Sequence, residues 1–201
     1  MPAGTAAERP TVVFLGTSLT AGYGLDPEEA YPALLQQKID SAGLNYRVVN
    51  AGVSGETSAG ARRRIDWLLR KPVSVLVVET GANDGLRGLS ADSLRANIQA
   101  IFDRAHELRP VPRLVLVGMR IPPNYGQAYS RQFERIYPEL AKANGAELVP
   151  FLLQDVGGVA ALNQPDGVHP TAQGQRRMAA TVWRVLEPVL RDGEQARASS
   201  S

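Results

Sequence analysis

The chain has 201 residues, of which 44% are hydrophobic and 21% charged, and its formal net charge is +2. That length suits one domain with a real apolar core, and no apolar run approaches the ~20 residues of a membrane-spanning helix. Acids and bases are interspersed without the basic stripe of a nucleic-acid binder, and the lack of cysteine excludes disulfides, thiolate nucleophiles and Cys-ligated metals.

The start, MPAGTAAERP, has no apolar centre and does not read as a signal peptide, so residues 1–10 are expected to be a flexible N-terminus. Five short runs rich in β-branched residues follow: TVVFLG from Thr11, YRVVN from Tyr46, VSVLVVET from Val73, RLVLVGM from Arg113 and AELVPF from Ala146. They are continuously apolar, the pattern of strands buried on both faces. Helical spacing fills the intervals over residues 28–42, 57–70, 91–108 and 127–143, with a last helix over 172–190. Within the second, Arg62-Arg63-Arg64 reads as a solvated helix face. The small polar residues 192–201 are expected to form a disordered tail. Strand and helix alternate over residues 11–191, which predicts a single α/β domain, a three-layer α/β/α sandwich around a parallel sheet.

Ligands of such sheets bind beyond the carboxyl ends of the strands, which directs attention to the loops there. The first strand runs into Gly16-Thr17-Ser18-Leu19, a small turn able to present a serine hydroxyl beside free backbone N–H groups. The same residues would also serve as an ordinary helix cap. The second strand leads to Asn50-Ala51-Gly52-Val53-Ser54-Gly55, where glycine lets a backbone N–H approach a ligand, and where Ser54 is a rival nucleophile. The third ends in Gly81-Ala82-Asn83-Asp84-Gly85, either a turn or a loop whose Asn83 amide can donate to a developing oxyanion. Before the last helix stands Asp166-Gly167-Val168-His169-Pro170. Of the two histidines, His106 lies within a helix in RAHELR and reads as a surface residue. His169 follows an acid by three residues, close enough for Asp166 to hold one ring nitrogen and leave the other as a base. A helix-capping turn would use the same residues. The G-x-S-x-G elbow of the α/β-hydrolases is absent around Ser18.

In this order, GTSLTAGYGL, NAGVSGETS, GANDGLRG and DGVHPTAQG resemble the four blocks of the SGNH hydrolases, the GDSL lipase/esterase family. Within it the chain is similar to the bacterial branch of thioesterase I, lysophospholipase L1 and small arylesterases, over nearly its whole length. The resemblance implies a flavodoxin-like fold with a five-stranded parallel sheet. It implies Ser18 as nucleophile, His169 as general base and then acid, and Asp166 as the residue that orients it. The oxyanion hole would be the backbone N–H groups of Ser18 and Gly52 with the side-chain amide of Asn83. No metal or organic cofactor is implied. Two positions depart from the pattern: Thr17 stands where the family usually has Asp, and Ala82 where close relatives often have Gly. A carboxylate at position 17 can accept several hydrogen bonds from the nucleophile turn, whereas a hydroxyl accepts fewer, so the change bears on the rigidity of that turn.

The stretch from Met119 to Gly126 resembles the substrate loop of the thioesterase I branch. With Leu86, its Met119, Ile121, Pro122 and Tyr125 are the expected substrate-binding residues, the apolar ones suited to an acyl chain. The expected substrates are short- to medium-chain acyl and aryl esters, thioesters and lysophospholipids. The alternatives are a carbohydrate O-deacetylase of the same family and a non-catalytic α/β ligand-binding module. The latter lacks the usual phosphate-loop patterns. The expected partner is a small-molecule acyl ester or thioester, not nucleic acid or a membrane interior, and the expected state is a monomer. Because many relatives are exported, the resemblance implies a periplasmic or secreted enzyme, with a cytoplasmic one as the alternative.

Overall fold

The computed structural model describes residues 9–199. Five parallel strands form one sheet: β1 (Thr11–Gly16), β2 (Arg47–Gly52), β3 (Val75–Glu79), β4 (Arg113–Val117) and β5 (Glu147–Val149), in the order β2-β1-β3-β4-β5. Helices cover both faces. Helix α2 (Tyr31–Ser41) packs against α7 (Ala172–Ala198), while α3 (Ser58–Leu68), α5 (Ala91–His106) and α6 (Gln127–Asn144) pack in sequence. Two short helices, α1 (Ser18–Ala21) and α4 (Ala82–Leu86), begin directly beyond β1 and β3.

The apolar runs behave as their composition dictates in the middle of the sheet, where β1, β3 and β4 are buried almost throughout. The edge strands differ. β2 is half-exposed along its length, because an edge strand lacks a neighbour on one side. β5 stops at Val149, ahead of Pro150, which has no N–H to donate to a ladder.

Helix boundaries shift for similar reasons. The helix expected from residue 28 begins as a 3-10 turn, Pro27–Glu29, and α2 starts only at Tyr31, because Pro32 cannot donate back to residue 28. The expected disordered tail is a correction: α7 continues through Ala198 rather than ending near residue 190. Tertiary contacts hold these turns. Glu194 Oε1 accepts the Asn45 N–H (2.6 Å), and the Arg197 guanidinium lies 4.6 Å over the Tyr46 ring while donating to its hydroxyl (2.8 Å). The polar N-terminus expected as flexible lies outside the described residues up to residue 8. Arg9 pairs with Asp40 (2.7 Å), and the Pro10 carbonyl accepts from Arg47 (2.9 Å). No described helix is long and apolar enough to cross a membrane.

The strand order reverses between β1 and β3, so the loops after these two neighbours diverge to opposite sides. A crevice at such a switch point is where open α/β sheets place their ligands.

Candidate active site

The site is built outward from that crevice. β1 passes through Gly16 and Thr17 into α1, whose first residue is Ser18. Thr17 makes no side-chain cap; its N–H and hydroxyl are turned instead to the carboxylate of Glu79 at the end of β3. Ser18 is nearly buried at 9% exposure, yet its Oγ lies 3.0 Å from His169 Nε2.

His169 is held by its own loop. Asp166 Oδ1 accepts the backbone N–H groups of His169 (3.0 Å) and Val168 (2.9 Å), and Oδ2 lies 2.7 Å from His169 Nδ1. The turn between them needs Gly167, at φ +68, a left-handed conformation that costs a side-chain-bearing residue strain. Those hydrogen bonds, the His169 backbone N–H first, lower the Asp166 carboxyl to about 2, so it is ionised. An ionised acceptor at Nδ1 assigns the proton there and leaves Nε2 to accept from Ser18. The His169 carbonyl accepts from the Gln164 N–H (2.7 Å), and the Tyr23 ring lies 4.5 Å from the imidazole, so the histidine is braced from two sides.

Of the expected oxyanion donors, Ser18 and Asn83 line one cleft and Gly52 borders α1, and the three are in unequal states. The Ser18 N–H is the first of α1. Asn83, in the first turn of α4, donates one amide hydrogen to the Glu56 carbonyl (2.9 Å), which fixes the amide plane and leaves its second hydrogen for another acceptor. The Gly52 N–H is engaged by Asn50 Oδ1 (2.9 Å), while Asn50 Nδ2 donates to the Thr20 carbonyl (2.8 Å). Residue 52 must be glycine for a steric reason: a Cβ there would lie 2.3 Å from the Ala21 nitrogen.

A cleft of about 530 Å³ opens beside Ser18, His169 and Asn83. Four of the five expected substrate residues, Leu86, Met119, Ile121 and Pro122, line it. Met119 and Ile121 are also core, only 3% and 5% exposed, so each faces the interior and offers an edge to the cleft. Tyr125 does not line it. Its hydroxyl donates to the Leu86 carbonyl (3.1 Å), buttressing Leu86 from outside. Phe151, Leu153 and Arg120 line the cleft without having been expected, Arg120 with its guanidinium 4.8 Å above the Phe151 ring. Arg120 lies within the stretch from Met119 to Gly126 already expected to be the substrate loop, whereas Phe151 and Leu153 lie just past the fifth strand and carried no such mark.

Other candidates fall elsewhere. Ser54 is exposed, and the imidazole engages Ser18. His106 closes α5 at the opposite edge of the sheet, just before β4. The Arg62-Arg63-Arg64 run is corrected in part. Arg62 and Arg63 are exposed, but Arg64 makes a bidentate ion pair with Glu56 (Nη2–Oε2 2.6 Å, Nε–Oε1 2.8 Å) and reaches the Gly16 carbonyl (3.3 Å). That pair fixes the segment whose carbonyl holds Asn83. From the other side, Asp84 accepts the Ser58 N–H (2.8 Å) and hydroxyl (2.5 Å), tying α4 to the start of α3.

Residues 14–177 match the GDSL-like Lipase/Acylhydrolase family. The chain is 41% identical to "Esterase TesA" of Pseudomonas aeruginosa, over 90% of this chain and 89% of that protein. It is 37% identical to "Thioesterase 1/protease 1/lysophospholipase L1" of Escherichia coli strain K12, over 92% of this chain and 87% of that protein. It superimposes with a TM-score of 0.83, at 34% identity, on a psychrotrophic esterase EstA from Pseudoalteromonas sp. inhibited by monoethylphosphonate, covering 90% of this chain and 98% of that one. With sequence, fold and the loops at the switch point agreeing, this chain belongs to the GDSL-like lipase/acylhydrolase family, the SGNH hydrolases, and is a carboxylic ester hydrolase.

Proposed function

We propose that the protein is a serine esterase for short- to medium-chain acyl and aryl esters that also accepts thioesters and lysophospholipids, acting through an acyl-enzyme on Ser18. The observation that carries this reading is the unbroken run from Asp166 through His169 to Ser18 Oγ, which ends at the wall of an apolar cleft. His169 Nε2 takes the Ser18 proton as Oγ attacks the acyl carbon. The Ser18 N–H and the free Asn83 amide hydrogen receive the oxyanion, and Gly52 joins them by sharing its N–H with Asn50. His169 then gives its proton to the departing alcohol or thiol. Water repeats the sequence to release the acid and restore Ser18.

The surroundings support an apolar acyl group. Among the described residues, every exposed large hydrophobic except Trp67 and Val111 lies on the loops and short helical turns at this edge of the sheet: Tyr23, Val53, Leu86, Leu89, Tyr125, Val159 and Val168. A sugar would find few polar partners there. The relatives named esterase, thioesterase and lysophospholipase agree with that choice.

The test is a series of p-nitrophenyl esters from acetate to palmitate. Activity should peak at short or medium chains; an optimum at the longest chains, or acetylated glycan outperforming butyrate, would overturn the substrate assignment. Asn83→Ala should lower kcat by about 10²- to 10³-fold with KM little changed, because its amide meets charge that exists only in the transition state. Steady-state kinetics on the butyrate ester check this, and a change confined to KM would remove Asn83 from the oxyanion hole.

A further inference from the structure

The carboxylate of Glu79 takes no part in the mechanism above, yet it is the most completely buried acid beside the site. It has no exposure and stands at the end of β3, under the turn that carries Ser18. Its Oε2 accepts the Thr17 N–H (2.8 Å), the Thr17 hydroxyl (3.0 Å) and the Thr20 hydroxyl (2.8 Å), and Oε1 lies 3.1 Å from the same Thr17 hydroxyl. Thr20 Oγ1 is also 2.8 Å from the Tyr31 hydroxyl, which must therefore donate to it while Thr20 donates onward to Glu79. The residues on either side of Ser18 are thus tied to one carboxylate on a neighbouring strand.

We propose that Glu79 and Thr17 form a clamp that positions the Ser18 hydroxyl against His169, and that the threonine lets this clamp work without a shared proton. The proposal rests on the reading of Ser18 as nucleophile. Neither residue is among those lining the cleft, so both act through Ser18 as positioning residues. The Ser18 Oγ to His169 Nε2 separation of 3.0 Å depends on where α1 begins, and α1 is a single turn whose later residues are held by Asn50 at the Thr20 carbonyl (2.8 Å) and Gln175 at the Leu19 carbonyl (3.3 Å), which leaves its start to Glu79. A misplacement of 1 Å in such a contact can cost about 10²-fold in rate.

The protonic part follows from what faces Glu79. From β1 and α1 these are the hydroxyls and N–H just named. From α2 it is Tyr31, and from α6 it is Tyr137, whose own hydroxyl donates to the Thr80 carbonyl (2.9 Å). The Arg64 guanidinium, which reaches the Gly16 carbonyl beside the nucleophile turn, is paired with Glu56. Among the described residues no ion pair reaches Glu79, and burial pushes its carboxyl up against the pull of its donors. Thr17 brings a hydroxyl proton that it keeps over the working pH range. A carboxylate at position 17 would stand about as close to Glu79 as the hydroxyl now does. Two such acids cannot both ionise cheaply, so the pair would hold together by one shared proton and loosen once that proton left.

The experiment measures kcat and KM on p-nitrophenyl butyrate against pH, per active site titrated with an organophosphorus reagent. The variants are Thr17→Val, Thr17→Ser and Thr17→Asp, beside the wild type and Ser18→Ala. Thr17→Val, which replaces the hydroxyl with a methyl group, should lower kcat by about 10- to 100-fold with KM little changed, and Thr17→Ser should recover most of it. Thr17→Asp should lose kcat on the alkaline side, where the wild type does not. A wild-type kcat per titrated site in Thr17→Val would overturn the clamp. So would a Thr17→Asp profile superimposable on the wild type, a readout that holds even if Thr17→Val fails to fold. Activity surviving in Ser18→Ala would instead overturn the nucleophile itself, a distinguishable result.

Discussion

Ser18→Ala is expected to lower kcat by about 10⁶-fold while leaving the melting temperature close to that of the wild type. The serine is the one member of the run whose loss leaves His169 nothing to deprotonate, so no partial route through an acyl-enzyme survives. The residual rate over water should come from binding and the oxyanion donors alone, which persist because the Ser18 N–H belongs to the backbone. Folding should be insensitive, since Oγ gives up one hydrogen bond, to an imidazole still 20% exposed to solvent. The check is kcat on a butyrate ester together with labelling by an organophosphorus reagent, which should mark one serine in the wild type and none in the variant. Labelling that persists would move the nucleophile elsewhere, with Ser54 the first residue to test.

Asp166→Asn should cost about 10⁴-fold in kcat with little change in fold or KM. The amide oxygen can still accept the N–H groups of Val168 and His169, so the loop keeps its shape. The amide nitrogen would then face Nδ1 as a donor, which forces the ring proton onto Nε2. That nitrogen would point a hydrogen at Ser18 and could no longer take one. A loss smaller than about tenfold would show that backbone contacts orient the imidazole and that the charge is dispensable.

The same carboxylate has a pH consequence. Its folded value, about 2, lies below its ordinary 3.8. Its contribution is therefore complete above the ordinary value and fades only as pH falls through about 2.

How much of this was legible beforehand depends on which physics placed each residue. Ser18, Asn83 and His169 lie in loops whose sequence context is unusual, and the sheet edge gathers such loops whatever their order. Asp166 and His169 are three residues apart, so their contact is a local matter of one glycine turn. Glu79 carried no such mark: it is the last residue of an apolar strand, and its partners lie 59 and 62 positions away. The Thr17 departure looked like a loss of hydrogen-bonding capacity in the nucleophile turn. The capacity is in fact supplied across the sheet by Glu79, with the threonine as donor. Arg64 likewise looked solvated because helical spacing gives a face and says nothing about a carboxylate eight residues back that returns to meet it.

By itself the sequence determined the alternation of buried strands and helices, the fold class that follows, and the identity of the polar residues at the loop positions. These depend on local composition and on contacts a few residues long. Only the tertiary structure decided the strand order that opens the crevice between β1 and β3, the buried carboxylate under Ser18, and the engagement of the Gly52 N–H by Asn50. It also turned Tyr125 away from the cleft and continued α7 past residue 190 onto Tyr46. Each of these is a long-range pairing, in which the free energy of one side chain is set by a partner that chain proximity does not supply.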